Sequence, residues 1–223
     1  MSLRSNYLLR CLLVLLISVA GVTSAQLPDT PLIAAARTQD WDTLHSLLKT
    51  DAELINTAQP DGTTALSWTV HWDQLETIKL LLAAGADPNI ANVYGVSPLI
   101  LAIQNRSNAA VRALLESGAD PNATLWDGVT PLMVAAKTGV TEVIETLLAN
   151  EADINGREPR RGQDALMWAI SFGQPSSAQM LIENGEIAQR MHSARVPCQH
   201  FLGNFHSAVK LAHVIIREGQ IVA

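Results

Sequence analysis

The residues best suited to bind a metal ion lie near the carboxyl end of the sequence. They are His192, Cys198, His200, His206 and His213, and imidazole and thiolate groups are good ligands for soft metal ions. However, their spacings match no usual zinc pattern, and His206 and His213 fall seven apart on one predicted helix. We therefore interpret the histidines as surface residues and the thiol as buried, and we expect neither a metal nor another cofactor.

No stretch of the sequence matches a catalytic motif. The patterns G-x-S-x-G, H-E-x-x-H and the glycine-rich phosphate-binding loops are all absent. The acids Asp87, Asp120 and Asp153 recur at one position of a repeating pattern, which is typical of turn residues and not of an acid/base pair. We therefore expect that the chain is not an enzyme.

Three arginines gather in the short connection of residues 157–163. Arg157, Arg160 and Arg161 lie there with Glu158 among them. One interpretation is a solvated turn tip. The other is a local contact with an anion or a carboxylate, because the guanidinium fork suits such groups.

These residues lie within a pattern that repeats along the chain. Gly62, Gly95 and Gly128 are 33 residues apart, and Gly162 follows after 34. The same step separates pairs of large aliphatic residues, namely Leu81-Leu82, Leu114-Leu115, Leu147-Leu148 and Leu181-Ile182. A fixed period of this length indicates stacked copies of one supersecondary unit.

Each copy reads as two short antiparallel helices and an extended turn. The first helix begins at a side chain that can cap it, followed in some copies by proline, as in Ser97-Pro98 and Thr130-Pro131. The second helix is predicted to end at glycine, in the copies that carry Gly85, Gly118 and Gly185. Helices of about two turns are marginal alone in water, so each copy must bury its apolar face against a neighbour.

The copies resemble ankyrin repeats, whose 33-residue signature begins T-P-L-H-x-A. The match is closest in residues 95–124 and 128–155. Two features depart from the signature: Glu151 and Asp51 replace a closing glycine, which predicts strain or a looser helix end there. The signature histidine is replaced throughout, by Ile33, Ser67, Ile100, Met133 and Met167. The resemblance implies an all-α fold, an ankyrin-repeat solenoid of helix-turn-helix units with β-turn tips.

The period divides the chain into seven predicted segments. Residues 206–217 keep the register of a second helix, although the last copy is damaged. The segments are a signal peptide (1–25), a degenerate amino-terminal repeat (28–56), four repeats (57–92, 93–124, 125–157 and 158–185) and a degenerate carboxyl-terminal repeat (186–223).

The resemblance also implies a partner-binding surface, because ankyrin-like arrays meet proteins through their turn tips and the exposed ends of their first helices. The tip positions are Pro60, Asp61, Thr63, Tyr94, Val96, Trp126, Val129, Arg160, Arg161 and Gln163. The helix-end positions are His71, Trp72, Gln104, Asn105, Lys137, Thr138, Ser171 and Phe172. Aromatic residues and arginine dominate binding hot spots. We therefore predict partner binding by Tyr94, Trp126, His71, Trp72, Lys137, Arg160, Arg161 and Phe172. Sideways packing of Trp72 or Phe172 onto the next copy is the alternative.

Charge disfavours a nucleic-acid partner. The chain of 223 residues has a formal net charge of −6 and only 16% charged residues. Residues 1–25 carry two arginines and no acid, so their removal takes the net charge from −6 to −8. Phosphate binding needs a concentrated basic face. We expect a protein partner of unknown identity, and neither nucleic acid nor a small-molecule substrate.

Residues 1–25 have the pattern of a secretory signal peptide. Arg4 and Arg10 precede an apolar run at residues 12–20, and Thr23-Ser24-Ala25 forms a small-residue cleavage site. We therefore expect a bacterial exported protein, periplasmic or secreted, with a membrane anchor only if this segment is uncleaved. The expected function is a non-catalytic interaction scaffold. An accessory or inhibitory subunit of an exported enzyme, or a secreted effector, is the alternative.

Overall fold

In a computed structural model of the chain, residues 29–49 and 54–193 are described, with side chains through residue 185. These residues form ten α-helices, which confirms the all-α prediction. The helices are α1 (Pro31–Thr38), α2 (Trp41–Leu47), α3 (Ala65–His71), α4 (Leu75–Ala83), α5 (Pro98–Gln104), α6 (Asn108–Glu116), α7 (Pro131–Thr138), α8 (Thr141–Ala149), α9 (Ala165–Ser171) and α10 (Pro175–Ser193).

The first helix of every unit begins where its cap predicts. A side-chain oxygen of the N-cap residue accepts the backbone N–H three positions on, which pairs one of the donors that the first turn leaves free. The distance is 3.2 Å from Met133 N to Thr130 Oγ1 and 2.9 Å from Met167 N to Asp164 Oδ1. The five capping residues are Thr30, Thr64, Ser97, Thr130 and Asp164.

The helix pairs stack side by side in two layers. The first helices α1, α3, α5, α7 and α9 pack in one row, and the second helices α4, α6, α8 and α10 pack in the other. The repeated leucines lie between the layers, where Leu81, Leu114 and Leu147 are fully buried. Burial of each leucine stabilises the fold by about 2 kcal/mol. A single helix pair cannot bury these leucines without a neighbour, so the stabilisation comes from the stack.

The turn tips between units are held to one another by backbone hydrogen bonds. In each of the first three tips, glycine closes a four-residue β-turn, as in the 2.8 Å bond from Gly95 N to Asn92 O. Gly95 has a φ of 76°, and a Cβ there would meet the backbone of Leu125 and Trp126 at about 3 Å. The glycine is therefore required by its conformation and by the close approach of the next tip.

Three asparagines join the second helices into a ladder that the sequence analysis missed. The Asn89 side chain donates to Gly118 O at 2.9 Å and accepts from Asp120 N at 2.8 Å. Asn56 and Asn122 make the equivalent two bonds to the unit that follows each of them. The signal was present in the sequence, since these asparagines are also 33 apart.

The second helices of two units end at the predicted glycines. Gly85 and Gly118 adopt left-handed conformations, with φ of 95° and 89°. Glu151, which replaces the closing glycine, has a φ of 65°, so the predicted strain is confirmed.

The prediction that a helix ends at Gly185 is wrong, because α10 runs through this glycine to Ser193. Gly85 and Gly118 are each followed by Ala-Asp-Pro, and proline prevents the helix from continuing. Gly185 is followed by Glu-Ile-Ala-Gln, which favours helix and contains no proline. The predicted boundary between residues 185 and 186 therefore falls inside α10.

Several predictions lie outside the described residues. They concern the signal peptide, Asp51, Cys198, and the segment of residues 206–217. None of the described helices combines the length and the apolar character that crossing a membrane requires.

Candidate partner-binding surface

The three most exposed large apolar residues of the described ranges lie on two neighbouring turn tips. Val93, Tyr94 and Trp126 are 63%, 62% and 73% exposed. Trp126 N donates to Tyr94 O at 3.2 Å, which holds the two tips together. Inside its own tip, Tyr94 N donates to Asn92 Oδ1 at 3.0 Å, so the loop is ordered by its own side chain. We call Val93, Tyr94 and Trp126 the tip cluster; sequence reasoning named the two aromatic residues and missed the valine.

One predicted tip residue does not belong to this surface. Val129 is only 5% exposed and packs in the core. Its N–H donates to Asp127 Oδ1 at 3.2 Å and its carbonyl accepts from Leu125 N at 2.9 Å. The tip thus closes as a narrow hairpin, in which Val129 is buried in the core and Trp126 remains exposed. Val96, its equivalent in the preceding tip, is half-buried.

An aromatic cluster stands at the end of α3. The His71 ring lies edge-on to both tryptophans, with ring centroids 5.9 Å from Trp68 and 4.8 Å from Trp72. Trp68 is half-buried, and its Nε1 donates to Gln59 Oε1 at 3.0 Å. His71 and Trp72 are exposed, so the structure leaves both predicted residues available on the surface.

A second contact joins the ends of α7 and α9. Lys137 Nζ lies 4.9 Å from the centroid of the Phe172 ring, and this ring lies 5.6 Å from that of Trp168. A cation–π pair at an exposed site contributes about 0.5–1 kcal/mol. Phe172 thus contacts the preceding unit, whereas the alternative interpretation expected packing onto the next one, and 48% of Phe172 remains exposed.

Side-chain amides fix the helix ends that carry these residues. Asn105 Nδ2 donates to Val70 O at 2.8 Å and to His71 O at 3.2 Å. Gln174 Nε2 donates to Lys137 O at 3.2 Å. Each bond ties the end of one first helix to a following unit, so the exposed side chains stand on a rigid base.

The arginine-rich tip is organised around the buried carboxylate of Glu158. This carboxylate accepts from the backbone N–H groups of Arg160 at 2.6 Å, Arg161 at 2.8 Å and Gln163 at 3.2 Å. Burial raises the pKa of Glu158, but these hydrogen bonds, together with the charge of Arg161, outweigh burial and hold the pKa below its usual value.

The anion bound at this tip is therefore the carboxylate of Glu158 itself. Backbone N–H groups bind it, and not the arginine guanidinium groups that the second interpretation assigned to this role. Arg160 and Arg161 keep exposed side chains, while Arg157 forms an ion pair with Asp164 at 3.6 Å. The inserted residue widens the turn, since Gly162 N bonds to Glu158 O across five residues at 3.0 Å.

The repeated acids serve as turn residues. Asp87 Oδ1 accepts from Asn89 N at 2.8 Å, and Asp120 and Asp153 make the same bond in the next two units. Within the described ranges, no group of three or more His, Cys, Asp or Glu residues could hold a metal ion.

Comparisons with known proteins agree with this architecture. A 38% identical stretch of 90 residues, 38% of this chain, spans 79% of the Notch-regulated ankyrin repeat-containing protein of Xenopus laevis. The Notch-regulated ankyrin repeat-containing protein A of Danio rerio is 36% identical over 88 residues, which are 38% of this chain and 79% of that protein. An ankyrin repeat protein of Fowlpox virus (strain NVSL) is 36% identical over 61 residues, which are 27% of this chain and only 10% of that protein.

The family model described as ankyrin repeats (3 copies) matches the chain three times, at residues 4–92, 32–125 and 99–191. Together these overlapping matches cover well over half of the sequence. The chain belongs to the ankyrin repeat family.

Proposed function

We propose that this chain is a non-catalytic interaction scaffold that binds a protein partner through its turn tips and first-helix ends. Ankyrin repeats generally mediate protein–protein interaction, and the family is typically non-catalytic. The observation that carries the proposal is the tip cluster, in which Val93, Tyr94 and Trp126 expose most of their surface to water. Neighbouring exposed apolar side chains of this size are typical of protein-binding sites.

The order of the tips supports recognition by a rigid surface. The tip cluster is held by the bond from Trp126 N to Tyr94 O and by the bonds from Tyr94 N and Val96 N to Asn92 Oδ1. A surface that is ordered before it binds loses little conformational entropy on docking. Aromatic side chains on such a base can therefore act as anchors for an apolar patch of the partner.

The other predicted residues add charge and further aromatic area. Lys137, Arg160 and Arg161 are exposed cations in a chain of net negative charge. His71, Trp72 and Phe172 stand exposed at first-helix ends. We propose that the partner presents an apolar patch to the tip cluster and carboxylates to these cations, since guanidinium groups bind carboxylates in bidentate geometry. Neither nucleic acid nor a small-molecule substrate is part of this proposal, and it needs no cofactor.

Affinity capture tests this surface. Wild-type protein and the double variant Tyr94→Ala with Trp126→Ala are immobilised, exposed to the extract of the source cells, and compared by mass spectrometry of retained proteins. The matched control is Leu80→Ala, because Leu80 is an exposed leucine on α4, outside the tips. We expect the double variant to lose specific partners that wild type and control retain, with an unchanged helical circular dichroism signal. Equal capture by all three proteins would refute this assignment.

The proposed location is the periplasm of a bacterium or the space outside its cell, reached through a cleaved signal peptide of residues 1–25. The sequence pattern supports this proposal. Recovered protein should begin at Gln26 and appear in the periplasmic or culture fraction. A protein that begins at residue 1 in the membrane fraction would instead indicate an uncleaved anchor. A periplasmic location beside an enzyme partner would favour an accessory or inhibitory subunit, whereas release into the medium would favour a secreted effector.

A further inference from the structure

The asparagine ladder stops one unit before its sequence pattern does. Asn155 is the fourth member of the 33-residue series that contains Asn56, Asn89 and Asn122. Each of the first three has a side chain that donates to and accepts from the backbone of the following unit. Within the described residues, the Asn155 side chain makes neither bond, because α10 continues as a helix through Gly185. The side chain of Asn155 is therefore exposed and unrestrained.

Asn155 is followed by Gly156, and this pair can react without any catalyst. The deprotonated backbone nitrogen of Gly156 attacks the side-chain carbonyl carbon of Asn155. A carbon–nitrogen bond forms, the bond to Nδ2 breaks, and ammonia leaves, so that the product is a cyclic succinimide. Water then opens the ring at either carbonyl, which leaves aspartate or isoaspartate. Glycine favours the attack, because it has no Cβ to obstruct the approach of its nitrogen.

The sequence contains two Asn-Gly pairs, and the structure separates them. Asn155 and Gly156 lie in and beside an exposed turn, whereas Asn184 and Gly185 lie inside α10. Asn184 Nδ2 donates to Met180 O at 2.9 Å, and helical hydrogen bonding holds the nitrogen of Gly185. Reaction inside the helix requires the helix to open locally, which costs free energy. The turn needs no such opening.

The turn at Gly156 has a close counterpart one unit earlier, at Ala123. Gly156 N donates to Asp153 O at 3.3 Å, and Ala123 N donates to Asp120 O at 3.4 Å, so both nitrogens are held alike. The difference lies in the preceding side chain. The ladder bonds hold the amide of Asn122, and both must break before this amide can turn to the backbone. The free side chain thus distinguishes the reactive position.

We propose that Asn155 is a site of spontaneous deamidation, at which the amide becomes aspartate or isoaspartate while the ladder asparagines and Asn184 stay intact. The reaction adds a negative charge to the turn that precedes the arginine-rich tip. It breaks no ladder bond, because the Asn155 side chain makes none within the described residues. The modified chain therefore keeps its stacked fold.

Incubation of the full chain in mildly alkaline buffer tests this site. Peptide mass spectrometry at successive times follows each asparagine, and fragmentation distinguishes aspartate from isoaspartate. The variant Gly156→Ala adds a Cβ to the attacking residue, at a φ outside the left-handed region. The variant Ala123→Gly is the matched probe, because it gives Asn122 a glycine neighbour and keeps the ladder bonds. Each sample is also incubated in concentrated urea, where the ladder is absent.

In the folded chain we expect Asn155 to react severalfold faster than Asn184, and Gly156→Ala to slow this reaction severalfold. In folded Ala123→Gly, Asn122 should react severalfold more slowly than Asn155, and in urea the two rates should converge. The melting temperature of the aged wild-type chain should remain unchanged. Equal rates at Asn155 and Asn184, or at Asn155 and Asn122 in folded Ala123→Gly, would overturn the proposal. So would an Asn155 that stays intact in the folded chain while it reacts in urea.

Discussion

The backbone N–H of Trp126 bonds to the carbonyl oxygen of Tyr94 at 3.2 Å, although the two residues occupy different positions in their repeats. Trp126 is equivalent to Val93, and Tyr94 is equivalent to Asp127, by the 33-residue step. Val93 N makes the same bond to Asp61 O at 2.8 Å. Each tip is therefore shifted by one residue relative to the tip before it. This shift places Tyr94 next to Trp126, although the two residues fall in different columns when the repeats are aligned.

The close approach of neighbouring tips makes Gly95 sensitive to substitution. Gly95→Ala should lower the free energy of unfolding by about 3 kcal/mol. Part of this loss arises because alanine is strained at a positive φ, and part because the added Cβ would displace the backbone of the next tip. Gly118→Ala is the control, because its φ is 89° but a Cβ there meets nothing within 4 Å. That control should lose only about 1 kcal/mol by chemical denaturation. Equal losses would show that the contact between tips carries no energy.

The asparagine ladder should contribute measurably to the stability of the stack. Asn89→Ala removes the bonds to Gly118 O and from Asp120 N, and should cost about 1 kcal/mol because water can partly replace both. Asn155→Ala is the matched control, since within the described residues its side chain makes no such bond to α10. Urea denaturation of both variants measures the difference, and a control as unstable as Asn89→Ala would contradict this role.

The left-handed conformation of Glu151 should be relieved by glycine. Glu151→Gly is expected to raise the free energy of unfolding by about 1 kcal/mol, because glycine adopts a φ of 65° without the penalty of a Cβ. The bond from Asn122 to the backbone carbonyl of residue 151 is kept. Glu151→Ala removes the same charge but keeps the strain, so it should leave stability nearly unchanged. Thermal unfolding of the three proteins distinguishes conformation from charge.

Glu158 should make the stack acid-sensitive. Its folded pKa lies below the usual 4.5, so its stabilising effect is present above pH 4.5 and is lost as the pH falls through the folded pKa. Glu158→Gln should lower the melting temperature at neutral pH, and this deficit should shrink below pH 4.5. Glu116→Gln makes the same charge change at an exposed site and serves as the control. A deficit that does not vary with pH would contradict this role of the carboxylate.

The candidate surface could be predicted in part from the sequence. Tyr94 and Trp126 follow from tip positions in the repeat, and both are exposed. Val93 and Val129 are both valines at a tip, yet one is 63% exposed and the other 5%. Residue type cannot separate them, because the direction of each side chain depends on how the turn closes against the next tip.

The sequence by itself determined the unit of this protein: capped helix pairs, leucines that must be buried, and a 33-residue period that places copies side by side. These features are local and recur, so they can be recognised without knowledge of the neighbours. Only the tertiary structure decided that Val93 is exposed while Val129 is buried, and that α9 keeps a partly open side. These outcomes depend on contacts between units, and such contacts exist only once the units are stacked.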